Sequence, residues 1–199
     1  GDISVALGDM YRDMGRYEEA MTELHEGLRI LRIAKGQRSL EAATAFRSIG
    51  DTLFLQGKYK EALTRLEEAH SILKETVGPE HSLKGLVLTS KGNCFLCMKR
   101  LDEARAAYEE ALRIKCIAHG DDSQEVATSL QNLGIIVTKM GMLDEARAFH
   151  EEALRIFRRV HGERHPAVAN TFGSIALVLK QQGQLDEALK MQSKALKIR

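Results

Sequence analysis

Apolar side chains recur at three- and four-residue spacing along almost the whole chain. In the segment EVATSLQNLGIIVTKM (residues 125–140), Leu130, Leu133 and Val137 fall on one helical face. A second apolar stripe with the same spacing occupies residues 143–157. No run of alternating Val, Ile or Thr bounded by turn residues predicts a strand. The pattern therefore predicts an all-α protein made of amphipathic helices.

A six-residue turn motif recurs along the chain at a constant interval. The sequences GRYEEA, GKYKEA, KRLDEA, GMLDEA and GQLDEA begin at residues 15, 57, 99, 141 and 183. Helical periodicity on both sides of the motif predicts units made of a helix A, a tight turn, a helix B and a longer connection. We expect five units, at about residues 1–34, 43–76, 85–118, 127–160 and 169–199. Together they form one expected domain, residues 1–199, cut from a longer array.

Helix A carries a small residue at one position of every unit. The series is Gly8, Gly50, Gly92, Gly134 and Ala176. Glycine inside a helix costs about 0.5–1 kcal/mol relative to alanine, so its recurrence needs a packing reason. We expect helix B to cross helix A so closely at this point that a β-carbon would clash.

The residue pattern of each unit resembles the tetratricopeptide repeat. Large side chains fall at positions four, seven and eleven, followed by Gly-x-Leu/Tyr-x-Glu-Ala at 15–20 and a small-Leu pair at 27–28. The unit exceeds the usual length of about 34 residues and is similar to the long repeats of kinesin light chains. In those repeats HP.VA opens a unit, as HPAVAN does at His165. Four residues depart from the apolar pattern: Ser4, His70, Lys91 and His150.

The resemblance implies a right-handed superhelical solenoid of antiparallel helix pairs whose helices A line a concave groove. Positions 2, 5, 6, 9, 12 and 13 of helix A then face the groove. For units two to four we expect the central binding residues to be Arg47, Asp51, Phe54, Leu55, Thr89, Asn93, Leu96, Gln131, Asn132, Ile135 and Lys139. Asn and Gln would bond the backbone of an extended peptide, and apolar pockets would hold alternate side chains.

The expected function is therefore a non-catalytic scaffold that binds a protein or peptide partner. The alternative is a regulatory or self-association segment of a larger signalling protein whose enzyme domain lies elsewhere. For self-association we expect an exposed apolar edge at the last unit, because no polar capping helix follows it.

Charge and composition narrow the partner classes. The chain has 29 Lys and Arg against 28 Asp and Glu, a net charge of +1. This balance disfavours nucleic acid and anionic membranes as partners. No apolar run is long enough to span a bilayer, and no signal peptide begins the sequence. Three cysteines do not make a disulfide framework, so we expect a cytoplasmic protein.

Two pairs of residues could suggest a redox, metal or catalytic site. Cys94 and Cys97 have C-x-x-C spacing, but they lie late in a helix, where no helix N-terminus lowers a thiol pKa. His161 and His165 are four residues apart, but Gly162 between them and the proline after them break the helix that would align them. Core or groove lining is favoured for the two cysteines, and loop packing or helix capping for the two histidines. Catalytic motifs are missing, so we predict no catalytic residue, no metal site and no cofactor.

Overall fold

In a computed structural model of the protein, residues 1–78 and 80–198 are described, and within them the fold is all-α. Arg199, the end of the expected fifth unit, lies outside the described residues. The helices are α1 (Asp2–Asp13), α2 (Tyr17–Lys35), α3 (Leu40–Leu55), α4 (Tyr59–Thr76), α5 (Ser82–Cys97), α6 (Leu101–His119), α7 (Gln124–Lys139), α8 (Leu143–His161), α9 (Pro166–Gln181) and α10 (Leu185–Ile198). The predicted fold class is confirmed.

The tight turns end helix A with a residue in the left-handed region. Gly15, Gly57, Gly141 and Gly183 have φ between 75° and 80°. Glycine adopts this conformation without the steric cost of a β-carbon. The third turn has Lys99 at the same place, with φ 61°.

The contacts group the helices into two compact units, residues 1–100 and the residues from 101 onward. In the first unit α1, α3 and α5 lie side by side, α2 packs on α1 and α3, and α4 packs on α3 and α5. In the second unit α7 and α9 are neighbours, α6 and α8 pack on α7, and α8 and α10 pack on α9. The expected single domain over residues 1–199 remains a prediction.

The glycines inside helix A mark close helix crossings, as predicted. A β-carbon on Gly8 would stand 2.6 Å from Cγ of Leu24 and 3.1 Å from the carbonyl oxygen of Ala20. On Gly50 it would stand 2.8 Å from Cγ of Leu66. Both leucines are fully buried. The absence of a side chain on helix A therefore lets a leucine of helix B seat against the backbone.

The histidines in the connections have structural roles. His81 and His165 precede helices α5 and α9, and their Nδ1 atoms accept hydrogen bonds from the backbone N–H groups of Leu83 and Ala167. The rings of His161 and His165 are stacked, with centroids 4.0 Å apart. Packing is confirmed for His161 and His165, and capping for His165.

Candidate functional site

The candidate site in each unit is its A face, which is the surface of helices α1, α3 and α5 in the first unit and the surface of α7 and α9 in the second. In the first unit, two of its predicted polar residues are bonded to each other. Arg47 donates to Asp51 over 2.7 Å, and the hydroxyl of Ser90 donates to Asp51 over 2.6 Å. One repeat earlier, Ser48 donates to Asp9 over 3.2 Å. These carboxylate–serine bonds join successive A helices.

Asp51 is a structural carboxylate in a crowded polar cluster. Burial raises its pKa, while the charge of Arg47 and the hydrogen bond from Ser90 act in the opposite direction. Each oxygen of this carboxylate already accepts one hydrogen bond, so a ligand would have to share or displace these partners. Arg47 and Asp51 are therefore held in place by the fold, and their predicted binding role stays a prediction.

The apolar residues of the first unit's A face differ in accessibility. Leu55 is 49% exposed, whereas Leu96 is half-buried. Phe54 is half-buried, and its ring centroid lies 5.5 Å from that of Tyr59. Leu55 therefore offers the most accessible apolar surface among the predicted residues of this unit.

The remaining predicted polar residues of the first unit are half-buried. The hydroxyl of Thr89 donates to the carbonyl of Gly85 over 2.8 Å, within its own helix. Asn93 lies one turn later on α5 and is also half-buried. By their place in the repeat, both are predicted to face the same surface as Leu55.

In the second unit, the four predicted residues lie along α7. Gln131 donates to the hydroxyl of Thr171 over 2.6 Å and so ties α7 to α9. Asn132 is half-buried and forms no hydrogen bond with the residues that the structure describes. Ile135 is 39% exposed, and Lys139 is exposed without an ion pair in the same part of the chain. Asn132, Ile135 and Lys139 thus retain the capacity to bind.

A cavity of about 260 Å³ opens between α7 and α9 above α8. It is lined by Ile135, Thr138, Lys139, His150, Ser174, Leu177 and Gln181. His150 is only 1% exposed, and its Nδ1 has no hydrogen-bond partner in the described structure. Burial lowers the pKa of His150 to about 4, so the ring is neutral near pH 7. In the sequence, His150 stands out only because it replaces an apolar residue of the repeat. That replacement is the sequence feature that points to this cavity.

The cysteines do not form a reactive pair. Cys94 is fully buried, and burial, with a further contribution from Asp51, raises the pKa of its thiol to about 12. Cys97 is exposed, and the three cysteines are free. Within residues 1–78 and 80–198, no group of three or more His, Cys, Asp or Glu is placed to hold a metal ion.

The family model described as "Tetratricopeptide repeat" matches four overlapping segments, residues 2–75, 41–117, 85–158 and 125–199. The chain belongs to the tetratricopeptide repeat family. A tetratricopeptide repeat fold is generally a non-catalytic interaction scaffold. None of the curated proteins matches this chain in sequence. In the described tetratricopeptide helices, none is both long and apolar enough to cross a bilayer.

Solved structures with the same architecture have low sequence identity to this chain. The putative kinesin light chain of Podosopora anserina, with nearly identical TPR-like repeats, is 18% identical over 99% of this chain and 93% of its own, with a TM-score of 0.83. BtubC (BKLC) from P. vanneervenii is 23% identical over 92% of this chain and 72% of its own, with a TM-score of 0.77. The apo form of RapI is 16% identical over 98% of this chain and 69% of its own, with a TM-score of 0.84. At these identities the likeness establishes the fold.

Proposed function

We propose that this protein is a non-catalytic scaffold whose units bind extended segments of a partner protein on their A faces. The observation that carries the proposal is the exposure of large apolar side chains on this face in both units. Leu55 and Leu86 are exposed in the first unit, and Ile135 and Leu177 in the second. Exposed apolar residues that line a groove are typical of interaction sites.

The polar groups beside these apolar residues suit the backbone of an extended peptide. Such a peptide presents one N–H and one C=O per residue, and these groups need partners when they leave water. The amide of Asn132 offers both a donor and an acceptor, and none of its groups is bonded within the described chain. Arg47 and Asp51 contribute less in this proposal, because binding would first have to break their own pairing.

A titration of a purified partner against matched variants tests the proposed face. Asn132→Ala should weaken binding by about 1–3 kcal/mol, because a peptide group is left buried and unpaired. Glu109→Ala is the control: Glu109 pairs with Arg105 over 2.7 Å on α6, and an exposed pair contributes roughly 0–1 kcal/mol. Weaker binding with Glu109→Ala, together with unchanged binding for Asn132→Ala, would place the site on the B helices instead.

A second candidate is self-association through the last helix pair, in this chain alone or as a regulatory segment of a larger signalling protein. Leu185, Leu189 and Leu196 are exposed on α10. Beside them lies a cavity of about 610 Å³ lined by Gly173, Ala176, Leu177, Lys180, Leu185, Ala188, Leu189 and Gln192. Sedimentation of the parent and of Leu189→Glu tests this candidate. A dimer that dissociates in the variant supports self-association, and a monomeric parent at high concentration rejects it.

The partner class and location in this proposal follow from charge and cysteine chemistry. A net charge of +1 supports a protein partner over nucleic acid or an anionic membrane. Three free cysteines fit a reducing compartment, so we place the protein in the cytoplasm.

A further inference from the structure

The cavity above α8 contains a histidine at a position where the repeat otherwise has an apolar side chain. The same position holds Leu24, Leu66 and Tyr108 in the preceding units. Both leucines are completely buried against a glycine of helix A. His150 keeps that packing against Gly134 but brings a ring nitrogen, Nδ1, that is buried without a partner. Leaving such a group unsatisfied lowers the stability of the fold, so packing alone does not explain the histidine.

The charged residue that lines the cavity is Lys139; Lys180 lines the neighbouring cavity between α9 and α10, and the carboxylate of Asp144 on α8 is bonded to Gln182. Lys139 on α7 and Lys180 on α9 are exposed, and neither forms an ion pair with the described residues. Helix α9 contains no acidic residue, and the single acid of α7, Glu125, lies at the opposite end of that helix from Lys139 and acts on Lys115. A carboxylate is therefore the charge-complementary group for this part of the A face.

The donors and walls of the cavity select a particular kind of carboxylate. The hydroxyls of Thr138 and Ser174 already donate to carbonyls of their own helices. The remaining donors are a ring N–H of neutral His150, the amide of Gln181 and the ammonium group of Lys139. Ile135 and Leu177, 39% and 53% exposed, form apolar walls that can cover methylene groups.

We infer that this cavity is a subsite for one glutamate side chain of the bound peptide. The two methylenes pack between Ile135 and Leu177, and the carboxylate accepts hydrogen bonds from His150 and Gln181 with Lys139 at the rim. This inference rests on the proposed function and names the chemistry that the A face of the second unit recognises. Glutamate fits better than aspartate because its longer stem spans the apolar walls before the carboxylate reaches the donors.

Two short peptides that differ in one group test the subsite. The probes are a capped alanine pentapeptide with a central Glu and the same peptide with a central Gln, titrated into the whole 199-residue chain. The readout is the NMR signal of the His150 ring, assigned by its loss in His150→Leu. We expect a saturable shift of this signal with the Glu peptide and a preference for Glu over Gln of about fivefold or more, which is about 1 kcal/mol.

The variant His150→Leu introduces the residue of the first two repeats. Its midpoint of thermal unfolding should equal or exceed that of the parent, and the preference for Glu should disappear. His70→Leu is the matched control, because His70 also occupies an apolar repeat position but lies on α4 in the first unit. It should leave the preference unchanged.

Three results would overturn the inference: equal binding of the two peptides, a Glu preference that survives in His150→Leu, or no saturable shift with either peptide. The same measurements test the proposed function separately. A full partner whose binding depends on Asn132, while the two peptides bind alike, would reject the glutamate subsite and leave the A face intact. If a partner binds Asn132→Ala as tightly as the parent but binds Glu109→Ala more weakly, the A face itself is rejected as the binding site.

Discussion

The ring of His150 lies directly against the α-carbon of Gly134, and a β-carbon added there would stand 2.6 Å from its Nδ1. The two residues belong to the consecutive helices α7 and α8, which cross at this point. Leu24 with Gly8 and Leu66 with Gly50 form the same crossing in the first unit. The fold therefore accepts a histidine in a leucine site because glycine leaves the space free.

Gly134→Ala should destabilise the protein by about 1–3 kcal/mol, because a rigid ring rather than a flexible chain end occupies the space of the new methyl group. Gly173→Ala is the matched control in α9: its β-carbon would meet nothing within 4 Å. That change should stabilise the helix by about 0.5–1 kcal/mol. Urea denaturation of both variants gives the comparison, and equal stabilities would refute the close-crossing explanation.

The stability of the protein should fall as the pH drops from about 6.5 to about 4 because of His150. Burial lowers the pKa of His150 from 6.5 to about 4, so in this range the unfolded chain binds a proton that the folded chain does not. Above pH 6.5 the effect is absent, and near pH 4 it approaches about 3 kcal/mol.

Unfolding free energies of the parent and of His150→Leu at pH 7, 5.5 and 4.5 isolate this effect. The pKa values of His25 and His70 are also lowered, mainly by burial, but both residues are present in the two proteins. The difference between parent and variant should grow steadily toward acid. A constant difference would mean that His150 titrates alike in the folded and unfolded chain.

Lys99→Gly should stabilise the turn between α5 and α6. Lys99 has φ 61° and its N–H donates to the carbonyl of Leu96, as Gly57 donates to Phe54 one repeat earlier. Glycine removes the left-handed penalty of about 1–2 kcal/mol but adds freedom to the unfolded chain, so a net gain of about 0.5–1 kcal/mol is expected. The reverse change, Gly57→Lys, should cost about as much. Thermal unfolding measures the stability of both variants. A loss of stability in Lys99→Gly would contradict the idea that Lys99 is strained.

Ser90→Ala should destabilise the first unit by about 1–3 kcal/mol, because it removes a hydrogen bond to the half-buried carboxylate of Asp51. Ser174 holds the same repeat position in the last unit, but its hydroxyl donates to Asn170 within its own helix. Ser174→Ala should therefore change stability by less than about 0.5 kcal/mol. Equal effects in chemical denaturation would show that the bond between A helices contributes nothing.

The sequence by itself determined the helices, their turns and the repeat class, because each depends on residues close together in the chain. The spacing of Leu130, Leu133 and Val137 places them on one helical face whatever surrounds the helix. Likewise, Gly57 and Gly141 favour the left-handed turn by their own conformational freedom. The recurrence of Gly8, Gly50 and Gly134 even predicted a close crossing, which the structure confirmed.

Only the tertiary structure decided which side chains of the A face are already bonded. Arg47 and Asp51 have the right repeat positions for a groove, but Ser90, 39 residues after Asp51, supplies the bond that holds the carboxylate. The cavity at His150 likewise needs walls from α7 and α9 and a floor from α8. Such groupings depend on distances between helices, which the spacing of residues along one helix does not reveal.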